Sequence, residues 1–168
     1  CNPELLSFAG GTEMSLDEIT AQIPDTVEGI TLLGGEPFAH AAAGAELASV
    51  ARNCKLSVMV FSGFTIEELR TRSESEVHAL LAATDILVDG RYQRDEPDLE
   101  RRWIGSRNQR IHFLTDRYQA NDPCWKKKNT LEIRVDSAGI SVNGFPSAAT
   151  SPLWRGWKRK KIVMEKHK

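Results

Sequence analysis

Four stretches of this chain carry side chains that could do chemistry at one place. The first is Gly34-Gly35-Glu36-Pro37, directly after the apolar run Ile30, Leu32, Leu33. Two glycines at the end of a buried strand can hold backbone angles closed to other residues and let a ligand approach the main chain. Pro37 fixes its own φ and pushes Glu36 towards an extended geometry. The expected result is a carboxylate and several backbone polar groups just beyond a strand's C-terminal end, where parallel α/β folds bind ligands. The plainer reading is a tight strand-to-helix turn that binds nothing. The segment lacks both the lysine of a phosphate-binding loop and the spaced glycines of a dinucleotide loop. Ser62, after the run Lys55–Phe61, could donate a hydrogen bond to a ligand or satisfy its own turn. Asp89, after Ile86-Leu87-Val88, places a second carboxylate at a strand's C-terminal edge or caps a turn. Asn108 and Arg110 bring amide and guanidinium donors in a polar loop that could equally be solvated.

Elements that would position these groups follow from local pattern. Ser15 with Glu18, and Thr65 with Glu68, have the spacing of capping boxes, so short helices start there. His40 to Asn53 is filled by alanines and leucine and reads as a helix packed closely on a sheet. Glu74 to Ala83 reads as another helix, with Val77, Leu80 and Leu81 inward. Lys55–Phe61, Ile86–Val88 and Ile111–Leu114 read as strands, and Cys54 as a buried or half-buried side chain. Strand and helix alternate with short links, so parallel strands joined by right-handed crossovers are expected. Leu131–Val135 and Ile140–Val142, bounded by Asn143-Gly144, form a hairpin signal that breaks this rhythm.

The 168 residues suffice for one domain with a real core, and 40% hydrophobic with 27% charged content is ordinary for a soluble globule. A net charge of −1 does not point to nucleic acid, and no apolar run is long enough to span a membrane. Nothing at the start looks like a signal peptide. Three dispersed cysteines do not make a disulfide scaffold, so a reducing cytoplasm is expected. Neither His112 nor Cys124 stands at metal-ligand spacing. Residues 155–168 hold seven lysines and arginines against one glutamate. That tail, with Trp154 and Trp157 in or beside it, reads as solvated or as a basic surface for nucleic acid or an acidic protein face.

Gly29–Phe38 (GITLLGGEPF) resembles the second motif of the radical S-adenosylmethionine enzymes. Asn2-Pro3-Glu4, Phe61–Leu69 (FSGFTIEEL), Thr84–Gly90 (TDILVDG) and Arg102–Arg110 (RWIGSRNQR) are similar to further stretches of the same family. The resemblance is strongest to the small activating enzymes of glycyl-radical proteins, among them those of anaerobic ribonucleotide reductase. It implies an α/β fold, a partial (incomplete) β/α barrel with a mostly parallel sheet and a C-terminal hairpin, over residues 1–146. Residues 147–168 would be a separate basic, tryptophan-containing tail. It implies an oxidoreductase in which a [4Fe-4S] cluster donates an electron to S-adenosylmethionine, giving methionine and a 5′-deoxyadenosyl radical. That radical would abstract hydrogen from a glycine of a partner protein, with an external electron donor restoring the cluster. Gly34, Gly35, Glu36, Pro37, Ser62, Asp89, Asn108 and Arg110 are the implied cofactor-binding residues, Glu36 giving its charge to the cofactor's amino group. In the family a CxxxCxxC motif precedes Asn-Pro-Glu, so the first strand and at least two cluster cysteines are expected upstream of Cys1. Cys1 is then either the last cluster ligand or the residue between that ligand and Asn2. The other readings are a binding or structural module that keeps the partial barrel without the chemistry, and a nucleic-acid accessory protein using the basic tail.

Overall fold

The computed structural model describes residues 12–127 and the strand backbones of 131–136 and 139–144. Cys1, Asn2-Pro3-Glu4, Phe145-Pro146 and the basic tail 147–168 lie outside the described residues. Both capping boxes form. Ser15 accepts from the Glu18 amide ahead of α1 (Leu16–Ala21), and Thr65 accepts from the Glu68 amide ahead of α3 (Ile66–Thr71), each with the reciprocal glutamate bond. Between them lie β1 (Gly29–Leu32), α2 (Ala41–Asn53) and β2 (Ser57–Phe61), and after them α4 (Ser75–Ala83), β3 (Ile86–Asp89) and β4 (Arg110–Phe113). A 3₁₀ turn, Pro37–His40, precedes α2, so the helix starts one residue later than the alanine pattern suggests. Cys54 caps the end of α2 and is exposed, contrary to the expected burial.

The sheet order is β1-β2-β3-β4, with β1, β2 and β3 parallel. Strands in chain order with helical crossovers between them are wound in one direction, as in a barrel, and among the described residues the sheet has four strands and stays open. Side chains alternate across it. Ile30, Leu32, Val58, Val60 and Leu87 meet the helices, whose Leu69, Val77 and Leu80 are fully buried against them. The small residues of α2 permit close approach: Ala41, Ala48 and Ala51 are buried, and a Cβ on Gly44 would stand 3.1 Å from Leu80. On the opposite face Phe113 meets Trp125, whose ring also makes edge contacts with Trp103 and Tyr118.

β4 runs antiparallel to β3. The reason is local. Residues 90–109 contain no helix, so the chain never crosses back to the far end of the sheet and re-enters beside β3 in the opposite sense. It then passes beneath the strands' N-terminal ends. Leu114 N donates to Asp85 O, Arg117 to Lys55 O, and Tyr118 Oη to Glu28. The buried Asp85 carboxylate accepts from Val58 N, Arg52 and Thr115, locking that end. β5 (Leu131–Asp136) and β6 (Gly139–Gly144) form the expected hairpin. No helix among the described residues is long and apolar enough to cross a membrane.

Candidate functional site

The expected site residues gather at the C-terminal edge of the parallel strands. Gly34 and Gly35 follow β1 with φ of +90° and +57°, a region that favours glycine. Among the described residues, a Cβ on either would meet nothing within 4 Å, so both border open space there. Leu33, just before them, is 66% exposed. Glu36 is extended, as its position before Pro37 requires, and caps the 3₁₀ turn through Phe38 N at 3.1 Å. Its carboxylate also reaches the loop after β2: Ser62 Oγ donates to Oε1 at 2.9 Å and Gly63 N donates to Oε2 at 2.7 Å. Ser62 Oγ in turn accepts from Phe64 N. Gly63 sits where loops converge, since a Cβ there would lie 3.4 Å from Glu36 Oε2 and 3.5 Å from Arg91 Cγ.

Asp89 ends β3 with its side chain 1% exposed. Its Oδ2 accepts from Ile66 N at 2.8 Å, tying it to the start of α3, and from Arg110 Nη2 at 2.6 Å. Oδ1 accepts from Arg110 Nε. His112 Nε2 lies 2.9 Å from Oδ2, off the line of an N–H bond. Burial pushes the Asp89 carboxyl up, but the Arg110 guanidinium, the Ile66 amide and the His112 ring together hold it below the usual carboxylate range. Arg110 also grips the exposed Glu67. That bond, chiefly, lowers Glu67 to about 2. Asp89 therefore bonds the first amide of α3 rather than capping a turn after β3, and Arg110 is its counter-charge.

The loop 90–110 is stitched from behind. Gln109 Oε1 accepts from Gly105 N and Ser106 N, while its Nε2 donates to Gly90 O at 3.0 Å. Asn108 donates to Arg91 O and accepts from Ser106 Oγ. Arg101 donates to Asp98 and to the carbonyls of Gln109 and Arg107. With Gly90 N donating to Phe64 O, hydrogen bonds run along the rim from Glu36 through Ser62–Phe64 and Gly90 to Gln109. The structure thus brings Gly34, Gly35, Glu36, Pro37 and Ser62 together where the loops after β1 and β2 are hydrogen-bonded to each other. Asp89, Asn108 and Arg110 stand behind the adjoining rim, their polar atoms bonded within the protein. The sequence alone did not single out Gln109 from its neighbours Asn108 and Arg110 as a site residue, nor Arg91 or Glu67. The spacing of Gln109 from Ser106, three residues within a Gly-Ser turn, was the available signal for the first.

The two left-handed glycines leave room beside the main chain, the one feature here that a ligand such as S-adenosylmethionine would need. For an iron–sulfur cluster the described residues supply no ligand set. No group of three or more His, Cys, Asp or Glu among them could hold a metal, and Cys54 and Cys124 are separate free thiols.

Known proteins supply the context. A family model described as a 4Fe-4S single cluster domain matches residues 1–112. The anaerobic ribonucleoside-triphosphate reductase-activating protein of Vibrio cholerae is 34% identical over 111 residues, covering 62% of this chain and 69% of the relative. Its namesake from Pasteurella multocida is 31% identical over 125 residues, covering 68% and 77%. The Haemophilus influenzae protein is 29% identical over 121 residues, covering 66% and 76%. No solved structure gives a significant match. With an open, mostly parallel sheet and its glycine pair at the strand ends, the chain belongs to the 4Fe-4S single cluster domain family and is a radical S-adenosylmethionine superfamily member related to the anaerobic ribonucleoside-triphosphate reductase-activating proteins.

Proposed function

We propose that this chain is the cofactor-binding part of a radical activating enzyme of the cytoplasm, which binds S-adenosylmethionine beside a [4Fe-4S] cluster and forms a glycyl radical on a partner protein. The observation that carries this reading is the open flank of Gly34 and Gly35 at the C-terminal end of β1, within a chain of that family. When bound, the cluster and cofactor supply a one-electron cleavage that yields methionine and a 5′-deoxyadenosyl radical able to take hydrogen from glycine. This chain's residues bind and orient. The backbone of Gly34, Gly35 and Glu36, held in place by Pro37, receives the amino-acid end of the cofactor. Arg91, whose Cγ would lie 3.5 Å from a Cβ on Gly63, is a cation beside this edge that could pair with the cofactor carboxylate. Ser62 shapes the wall after β2. Asp89, Asn108 and Arg110 keep the third wall rigid, so that the nucleoside meets a preformed edge. Cluster ligands would be cysteines of the family's CxxxCxxC motif, with Cys1 as a candidate beside or among them. The partner is a glycyl-radical-type protein, and an external donor supplies the electron.

The test is a titration of the isotopically labelled full-length protein with S-adenosylmethionine, followed by amide chemical shifts. The shifts should concentrate at Gly34, Gly35, Gly63 and Arg91. Shifts confined to the helix face of the sheet, or none at saturating cofactor, would contradict the assignment.

A further inference from the structure

Resting on the cofactor reading above, we infer that Glu36 is a positioning residue. Its carboxylate is a bracket that locks the loop after β1 to the loop after β2, and the cofactor meets the backbone that this bracket fixes. A carboxylate offers about four acceptor positions. Three are filled from within the chain, by Phe38 N, Ser62 Oγ and Gly63 N, and the 2.7 Å bond to Gly63 is the shortest of the three. Two of these donors come from the next β/α unit, 26 and 27 residues away. Ser62 has both its proton and an acceptor position engaged, by Glu36 and Phe64 N. Glu36 and Ser62 are therefore one device and not two ligand contacts. The need for such a device is visible in the glycines. Among the described residues nothing lies within 4 Å of a Cβ position on Gly34 or Gly35, so no described side chain braces the turn there. Anchoring comes from the Glu36 end. Gly63 matches the bracket: a side chain there would press on the Glu36 carboxylate and on Arg91.

The two roles make opposite predictions in a double-mutant cycle. If Glu36 and Ser62 each touched the cofactor, the affinity losses of Glu36→Gln and Ser62→Ala would multiply. As one bracket they couple, and the double variant binds no more weakly than Glu36→Gln alone. Glutamine keeps the size but turns an NH₂ group towards a donor, so it breaks the bracket with little change in shape. The measurement is the affinity for S-adenosylmethionine of the full-length, cluster-reconstituted protein, well below its unfolding temperature. Hydrogen exchange at the Phe38 and Gly63 amides is followed in the same variants without cofactor. Expected are a roughly ten- to hundredfold weaker affinity for Glu36→Gln, a smaller loss for Ser62→Ala, no further loss in the double variant, and faster exchange at Gly63 in Glu36→Gln. Losses that multiply, or unchanged affinity in both single variants, would overturn the bracket and leave the cofactor site standing. Absence of binding by the unsubstituted protein would overturn the site itself.

Discussion

Replacing Asp89 by asparagine should destabilise the protein through one small cluster, and the size of the effect follows from its contacts. The carboxylate is buried and holds Ile66 N at 2.8 Å and Arg110 at 2.6 Å, with a second bond to Arg110 at 3.1 Å. Asparagine keeps one acceptor oxygen and presents an NH₂ group to donors. It therefore loses the charge and at least one of these bonds. A hydrogen bond to a charged group contributes about 1.5–3 kcal/mol, and a buried amide left unpaired costs about 1–3 kcal/mol. Removing one member of a fully buried pair costs about 3–5 kcal/mol, but Arg110 is half exposed and keeps Glu67, which lessens the loss. The expected destabilisation is about 2–4 kcal/mol, read as a lower urea midpoint at an unchanged slope. Glu67→Gln, at a side chain 64% exposed, is the control and should change little. The pH dependence has a definite sign. Asp89 titrates below its unfolded value, so its contribution is complete above about pH 5 and is lost as pH falls through the folded value, whereas the lowered but exposed Glu67 is screened by solvent and adds little. Asp89→Asn should accordingly flatten the loss of stability as pH falls below about 5. A midpoint within about 0.5 kcal/mol of the parent, a shift typical of surface substitutions, or an unchanged acid limb, would refute the cluster's role.

Further outcomes concern the glycines and the rim. Gly29→Ala would set a methyl carbon 2.5 Å from Ser57 O and should part β1 from β2, costing about 2–3 kcal/mol by calorimetry. Gly34→Ala meets open space, so its stability cost is only the strain of positive φ, about 1 kcal/mol. Its affinity for S-adenosylmethionine should fall more than about tenfold, and unchanged affinity would remove the cofactor from that flank. Gln109→Leu strips a carbonyl acceptor from two amides and a donor from Gly90 O in a buried place. The expected cost is about 2–4 kcal/mol by urea unfolding, with faster exchange at Gly105 and Ser106.

Local chemistry made much of this fold legible. The capping boxes at Ser15 and Thr65 involve residues three apart, and both form as their spacing requires. The three parallel strands were legible from apolar runs broken by helices, and the hairpin from its alternation and terminal Asn-Gly. The glycine pair was legible because positive φ restricts composition directly. What the sequence concealed depends on distance along the chain. Glu36 looks like a displayed carboxylate until its donors, a full β/α unit away, are seen to face it. Gln109 and Asn108 look alike in sequence, yet only the fold shows that Gln109 joins Gly90, 19 residues earlier, to the turn at Gly105. The direction of β4 was concealed because a polar loop of given length can return a chain on either side. Cys54 misled because thiols are usually buried, whereas a helix C-terminal cap is set by the turn and not by side-chain polarity.

The most direct test of the central claim is product analysis on the full-length protein, reconstituted anaerobically and shown by absorbance to hold one [4Fe-4S] cluster per chain. Supplied with S-adenosylmethionine and a low-potential reductant, it should release methionine and 5′-deoxyadenosine in equal amounts, and Gly34→Ala should release less of both at the same cluster content. An intact, reducible cluster that leaves the cofactor uncleaved would contradict the account.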